Sequence, residues 1–257
     1  MTAQPEIAIE FDHVSYRLAE GRELLSDLSL AIYRGEIFML LGRSGSGKTT
    51  TLKLINRLLE PSSGEVRVEA KSTMAWDPIR LRRRVGYAIQ EVGLFPHYSV
   101  AKNVGLIPML EGWPRERTDG RVGEVLNLVG LSPETFLKRY PHQLSGGQRQ
   151  RVGLARALAA DPPILLMDEP FGALDPLSRV ELQTEFQQLQ QRLGKTVVFV
   201  THDVGEALLL GSRIALMENG RMLSVQTPKE FLNSQDPKTK AYVDAFSASH
   251  RVLEDGR

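Results

Sequence analysis

The 257-residue sequence contains no cysteine. That absence excludes disulfide bridges and cysteine-ligated zinc, and it is compatible with a reducing compartment, for which the cytoplasm is the default. An excess of one charge is missing too. Thirty-two Lys and Arg against 31 Asp and Glu leave a net charge of +1, whereas binding to a nucleic-acid backbone shows as a strongly basic domain or stripe, so no nucleic acid is expected as a partner. The one basic cluster, Arg80 to Arg84, reads as a solvated helix face interrupted by Leu81. Long hydrophobic runs are also lacking: Ile37 to Leu41, Ile164 to Met167 and Val197 to Val200 fall far below the ~18 residues that span a bilayer. Met1 to Phe11 is acidic and strand-like, so a secretory signal is not expected. No internal repeat or low-complexity segment is found.

What is present describes an ordinary globular chain, 42% hydrophobic and 25% charged, large enough to bury roughly three quarters of its unfolded surface without a structural metal. Short β-branched and apolar runs recur between helical stretches: Ile7 to Phe11, Ile37 to Leu41, Glu65 to Val68, Val85 to Ile89, Ile164 to Met167, Thr196 to Val200 and Ile214 to Met217. They read as strands, several of them apolar without alternation, as suits a sheet covered on both faces. An α/β core follows. From Gly93 to Ala160 the pattern turns helical, with helices expected at Val100 to Leu110, Arg117 to Val129 and Gly147 to Ala160. The organisation expected is a core of residues 1–92 and 161–226, a helical subdomain at 93–160, and a tail at 227–257 in which Pro228 opens a short helix.

Gly42-Arg43-Ser44-Gly45-Ser46-Gly47-Lys48-Thr49 satisfies GxxxxGKT between a strand ending at Leu41 and a helix expected over Thr49 to Leu59, with Thr50 in its first turn. Glycines let such a loop curl so that backbone N–H groups point at phosphate oxygens, while the helix presents its positive end to the same anion. Lys48 adds a full charge and Thr49 a hydroxyl suited to Mg²⁺. The motif would arise by accident in roughly one chain in a hundred of this length, before the flanking strand and helix are required. A second element, Ile164 to Met167 followed by Asp168 and Glu169, is an apolar strand ending in two carboxylates. Such a strand delivers Asp168 to the edge where open α/β folds bind ligands, to hold Mg²⁺ through water, while Glu169, pointing the other way, is the candidate general base.

Kinases, GTPases and helicases share that much. The discriminating segment is Leu144-Ser145-Gly146-Gly147-Gln148, which opens a second helix, so that Ser145 and the two glycines form another anion-seeking helix N-terminus. A two-fold dimer in which each such loop caps the γ-phosphate held by the partner's Gly42 to Thr49 loop would use both.

With these motifs in this order the sequence resembles the ATP-binding-cassette family over essentially the whole chain to about residue 230. The resemblance implies a P-loop NTPase (RecA-like) core with an antiparallel β edge and an inserted α-helical subdomain. It makes Tyr16 the aromatic that stacks on adenine, and Gln90 the glutamine that senses Mg²⁺ and the attacking water. Asp168 and Glu169 become the metal carboxylate and catalytic glutamate, Asp175 the residue of a loop crossing the dimer, and His202 the switch histidine. The expected ligands are ATP and Mg²⁺. A second copy, an integral membrane permease and, indirectly, a periplasmic or extracellular solute-binding protein are the expected partners, with the chain peripheral on the cytoplasmic face of the membrane. Gly93 to Val104 is expected to lie against a cytoplasmic helix of the permease. QEVGLFPHYSVAKNV at Gln90 to Val104, IPMLEGW at Ile107 to Trp113 and DPIRLRRRVGY at Asp77 to Tyr87 are similar to the osmoprotectant uptake branch, which imports glycine betaine, choline or carnitine. Lys102 stands where that branch often has Glu. The alternatives are an importer ATPase for another small solute and a soluble ATPase of the same family that acts outside transport.

Overall fold

The structure, a computed structural model, describes residues 5–89, 92–172 and 174–254. In chain order its elements are β1 (Ile7–Arg17), β2 (Glu23–Tyr33), β3 (Ile37–Leu41), α1 (Lys48–Ile55), β4 (Ser63–Val68), β5 (Lys71–Ser72), α2 (Pro78–Arg84), β6 (Val85–Ala88), α3 (Val100–Leu110), α4 (Arg115–Leu128) and α5 (Pro133–Phe136). A 3₁₀ turn at Pro141–Gln143 leads to α6 (Gly146–Leu158), β7 (Ile164–Asp168), α7 (Pro176–Leu193), β8 (Thr196–Thr201), α8 (Val204–Leu210), β9 (Arg213–Glu218), β10 (Arg221–Gln226), α9 (Pro228–Leu232) and α10 (Pro237–Glu254). They fall into two compact units, Met1–Ala75 with Val198–Arg257, and Trp76–Val197.

The first unit contains an antiparallel sheet in the order β2-β1-β4-β5, and the strand run β10-β9-β3-β8. Every residue of β3 is buried, and it pairs with β9 in parallel from Phe38↔Arg213 to Leu41↔Leu216. Two strands here escape a periodicity reading. β1 runs on to Arg17 and pairs with β2, but His13 (φ 49°) and Asp27 (φ 52°) stand in left-handed bulges that shift the alternation halfway along. Between β9 and β10, Glu218 pairs directly with Arg221, and Asn219 and Gly220 both have positive φ. That is the two-residue hairpin turn Asn-Gly favours. Among the described residues after 226, Thr227 caps α9 and an 18-residue helix follows.

The loop between β3 and α1 is built by close approaches. A Cβ on Gly42 would lie 2.3 Å from the Met217 carbonyl oxygen and 2.8 Å from Ser46 Oγ. One on Gly47 (φ 102°) would lie 2.6 Å from Leu25 Cδ2. The Gly220 N–H donates to the Ser46 carbonyl at 3.1 Å, and the Ser26 N–H donates to the Gly220 carbonyl at 3.0 Å, so β2 and the β9–β10 turn both grip the loop. α1 is shorter than the helix expected to Leu59. It ends at Ile55 with Asn56 as C-cap, because Arg57 adopts φ 51°, the left-handed exit that stops a helix.

In the second unit β6 and β7 pair in parallel, and the described residues from 92 to 160 form helices, turns and loops with no strand. Asp77 caps α2, whose Leu81 is fully buried while Arg80, Arg82 and Arg84 are exposed. Arg121 ties α4 to the end of α6 by donating to the carbonyls of Leu158 and Ala159 at 3.0 and 3.1 Å. Asn103, fully buried in α3, organises the approach to that helix. Its Oδ1 accepts from the Phe95 N–H at 2.8 Å, and its Nδ2 faces the carbonyls of Phe95, Tyr98 and Ser99 at 3.1–3.2 Å.

Two outcomes follow for denaturant unfolding. Gly42→Ala is expected to lose about 3 kcal/mol or more, because the Met217 backbone cannot yield, whereas Gly45→Ala, at φ 79° in open space, should lose only the ~1–2 kcal/mol of a left-handed alanine. Asn103→Leu should cost about 3 kcal/mol by orphaning the Phe95 N–H and the carbonyls it faces.

Candidate functional site

In the first unit the loop Gly42 to Thr49 meets α1 at Gly47, a left-handed N-cap (φ 102°, ψ −2°) that supplies no side-chain cap. The first-turn N–H groups of any α-helix lack partners within it, and here they stand at the positive end of the helix dipole. Lys48 Nζ, buried, donates to the carbonyls of Gly42 at 2.7 Å and Arg43 at 2.9 Å, which lays the ammonium along the loop. Ser46 Oγ is buried with no hydrogen-bond partner among the described residues, an arrangement that costs about 1–3 kcal/mol. Arg43, Ser44 and Gly45 are exposed, and Thr49 and Thr50 are half-buried in the first turn. Thr51, the third hydroxyl there, donates to the Gly47 carbonyl at 3.0 Å. First-turn amides with no side-chain cap, the buried Ser46 hydroxyl and an ammonium, around a loop whose Gly42 and Gly47 leave no room for a Cβ, make a cradle fitted to phosphate oxygens.

Tyr16, half-buried on β1, is paired across the sheet with Leu25, the residue whose Cδ2 excludes a Cβ at Gly47. His202 is exposed at the junction of β8 and α8, on a turn pinned at both sides. Thr201 Oγ1 accepts from the Asp203 N–H at 2.9 Å and donates to the buried Glu206 carboxylate at 2.6 Å, and Asp203 in turn caps α8 through the Glu206 N–H.

The second unit carries the carboxylates and the second helix tip. β7 is buried throughout and ends in Asp168, itself buried. Tyr87 on β6 donates to Asp168 Oδ2 at 3.4 Å; burial first, and the Asp168 charge second, push its phenol well above the ordinary value, so it remains protonated. Glu169 leaves the strand with φ 44°, a conformation non-glycine residues adopt at a cost of about 1–3 kcal/mol. Strand alternation therefore ends at Asp168, and the direction of Glu169 is set by this left-handed turn, which the Gly172 N–H closes on the Glu169 carbonyl at 3.1 Å. Asp175 caps α7 by accepting from the Ser178 N–H at 3.0 Å, and those bonds hold its carboxyl below the usual range. Ser145 and Gln148 form a capping box on α6: the Gln148 N–H donates to Ser145 Oγ at 3.2 Å and the Ser145 N–H to Gln148 Oε1 at 3.0 Å. Gly146 has nothing within 4 Å of a Cβ position. Gln90 lies outside the described residues, as does Ala173 beside Leu174 and Asp175.

Four contributors were not singled out from the sequence. Leu25 and Gly220 support the loop, Tyr87 touches Asp168, and Arg156, in the last turn of α6, donates to the carbonyls of Val92 and Gly93 at 2.6 and 2.7 Å. Only Gly220 had a sequence signal, the Asn-Gly pair between alternating residues.

Residues 25–172 match the family described as ABC transporter. The chain is 47% identical over 246 residues, 96% of its length, to the glycine betaine/carnitine/choline transport ATP-binding protein OpuCA of Bacillus subtilis, of which it covers 64%. It is 51% identical over 224 residues, 87% of its length, to the glycine betaine uptake system ATP-binding protein YehX of Escherichia coli, covering 72%. The chain thus spans less than two thirds of the length of OpuCA. Among solved structures it is similar to the dimeric post-hydrolysis state of the ATP-binding cassette MJ0796 bound to ADP and Pi, with a TM-score of 0.76 and 34% identity over 86% of this chain and 98% of that one. With the family match extending over more than half of its residues, and with the phosphate loop inside the matched stretch, the chain belongs to the ABC transporter family.

Proposed function

We propose that the chain is the ATP-hydrolysing subunit of a multi-subunit importer, that it works as one half of a homodimer enclosing the nucleotide, and that its cargo is a quaternary-amine osmoprotectant such as glycine betaine, choline or carnitine. The observation that carries the ATP reading is the tip of α1, where a left-handed glycine leaves the first turn uncapped beside the buried, unpartnered Ser46 hydroxyl. The loop Gly42 to Thr49, with Thr50, takes the phosphates, and Tyr16 stacks on the base. Thr49 and Asp168, with Gln90, are hard oxygen donors of the kind Mg²⁺ selects, and that ion, when bound, spreads the phosphate charge. Glu169 holds and deprotonates the attacking water, and His202 faces the γ-phosphate. Ser145, Gly146, Gly147 and Gln148 of the second copy complete the cage, with Asp175 at the crossing between copies.

The box between Ser145 and Gln148 supports this assignment, since it settles two groups internally and leaves the first-turn N–H groups of Gly146 and Gly147 without a partner inside the helix. We read residues 1–92 and 161–226 as the nucleotide-binding core, 93–160 as the signature subdomain and 227–257 as an appendage. Among the described residues no helix is long and apolar enough to cross a membrane. Attachment to the cytoplasmic face is therefore assigned to a permease subunit docking near Gly93 to Val104, with a periplasmic or extracellular binding protein delivering cargo. The names of the relatives support the osmoprotectant reading.

Glu169→Gln is expected to abolish steady-state ATP hydrolysis, by at least about a hundredfold, while an ATP-bound dimer persists in size-exclusion chromatography; near-normal turnover would remove Glu169 from the role of base. Gly146→Ala, whose Cβ would meet nothing within 4 Å among the described residues, should unfold at the wild-type midpoint yet lose ATP-dependent dimerisation. Affinity purification from membranes should recover an integral membrane protein, and labelled betaine uptake should stop in cells lacking the chain. Recovery of soluble partners alone would favour the non-transport alternative.

A further inference from the structure

Tyr87 sits one residue before the end of β6, paired with Leu166 on β7, and two strand positions short of Asp168. Its ring forms part of the wall of a groove of about 240 Å³ in the second unit, beside Phe95, Leu106, Ile107 and Arg156. Its hydroxyl donates to Asp168 Oδ2 at 3.4 Å. A carboxylate at a strand end has a broad, nearly two-fold preference about its terminal torsion, so its two oxygens exchange places at small cost unless a neighbour distinguishes them. Tyr87 is one neighbour that does so, because it engages Oδ2.

We propose that Tyr87 is a positioning residue for Asp168: it is held on β6 by the pairing with Leu166, and its hydroxyl engages Oδ2 so that Oδ1 is the oxygen left to the metal and its waters. The inference rests on the reading of Asp168 as a Mg²⁺ carboxylate. The contact is long for an O–H···O bond, so the tie is loose, and its effect belongs at the low end of what an outer partner of a metal ligand contributes. Phe at this position keeps the ring and its packing but removes the donor.

The test uses the full chain with a non-hydrolysable ATP analogue and Mn²⁺, followed by electron paramagnetic resonance. Tyr87→Phe should bind the analogue without metal as the wild type does and unfold at the wild-type midpoint, while its Mn²⁺ affinity falls about tenfold. The same substitution made on Asp168→Asn should cause no further loss, as expected when one residue acts through the other. Rescue of turnover by excess Mg²⁺ would support the same account. An unchanged Mn²⁺ affinity in Tyr87→Phe, or an equal loss in both backgrounds, would overturn the part assigned to Tyr87. Absence of analogue-dependent Mn²⁺ binding in the wild type would overturn the metal reading of Asp168, and the inference with it.

Discussion

The contact on which the first unit's chemistry depends is a steric one: the close approach of Gly42 to the Met217 carbonyl and of Gly47 to the Leu25 side chain. Only a residue without a side chain allows either. The approach turns the loop so that α1 starts from a left-handed glycine with its first amides uncapped, which an isolated helix would correct by recruiting Ser, Thr, Asp or Asn at that position. The local helix is weaker for it. What the loop gains is a helix start with no side-chain cap in front of its first turn, a place where the helix dipole favours an anion.

The two helix tips contrast in this respect. α6 begins with a reciprocal box between Ser145 and Gln148, so the second tip holds its shape through its own side chains. α1 has no such device. A tip that stabilises itself can be carried to a ligand ready-made, whereas one that lacks a cap is tightened by the ligand it binds. In the proposed cage, binding energy at the first tip would be coupled to local order, and binding at the second would be close to rigid-body recognition.

Much of this was legible from residue order. The apolar runs of β3, β7 and β8 announced buried strands because nothing interrupts them, and the helices around Val104, Val125 and Leu154 announced themselves by period and by the turns between them. β2 was not legible, since the bulge at Asp27 resets an alternation that otherwise places Leu25, Leu28, Leu30 and Ile32 inside. The end of α1 was hidden for a similar reason, because a left-handed Arg57 carries no compositional mark where a glycine would. At the site, the motif residues were visible as motifs. Their supports were not: the contacts of Tyr87 with Asp168 and of Arg156 with Val92 and Gly93 join positions far apart in sequence, and one sequence contains no trace of such pairings.

The grip of the β9–β10 turn on the phosphate loop also bears on how the chain is made. Gly42 and Ser46 find their partners at Met217 and Gly220, which leave the ribosome some ten to thirty seconds later at about 5–20 residues per second. Throughout that interval the nascent loop has a strand before it and a helix after it but no floor beneath. A growing chain that stalled anywhere before the Asn219–Gly220 turn would display the loop without the Met217 and Gly220 contacts that surround it in the folded chain.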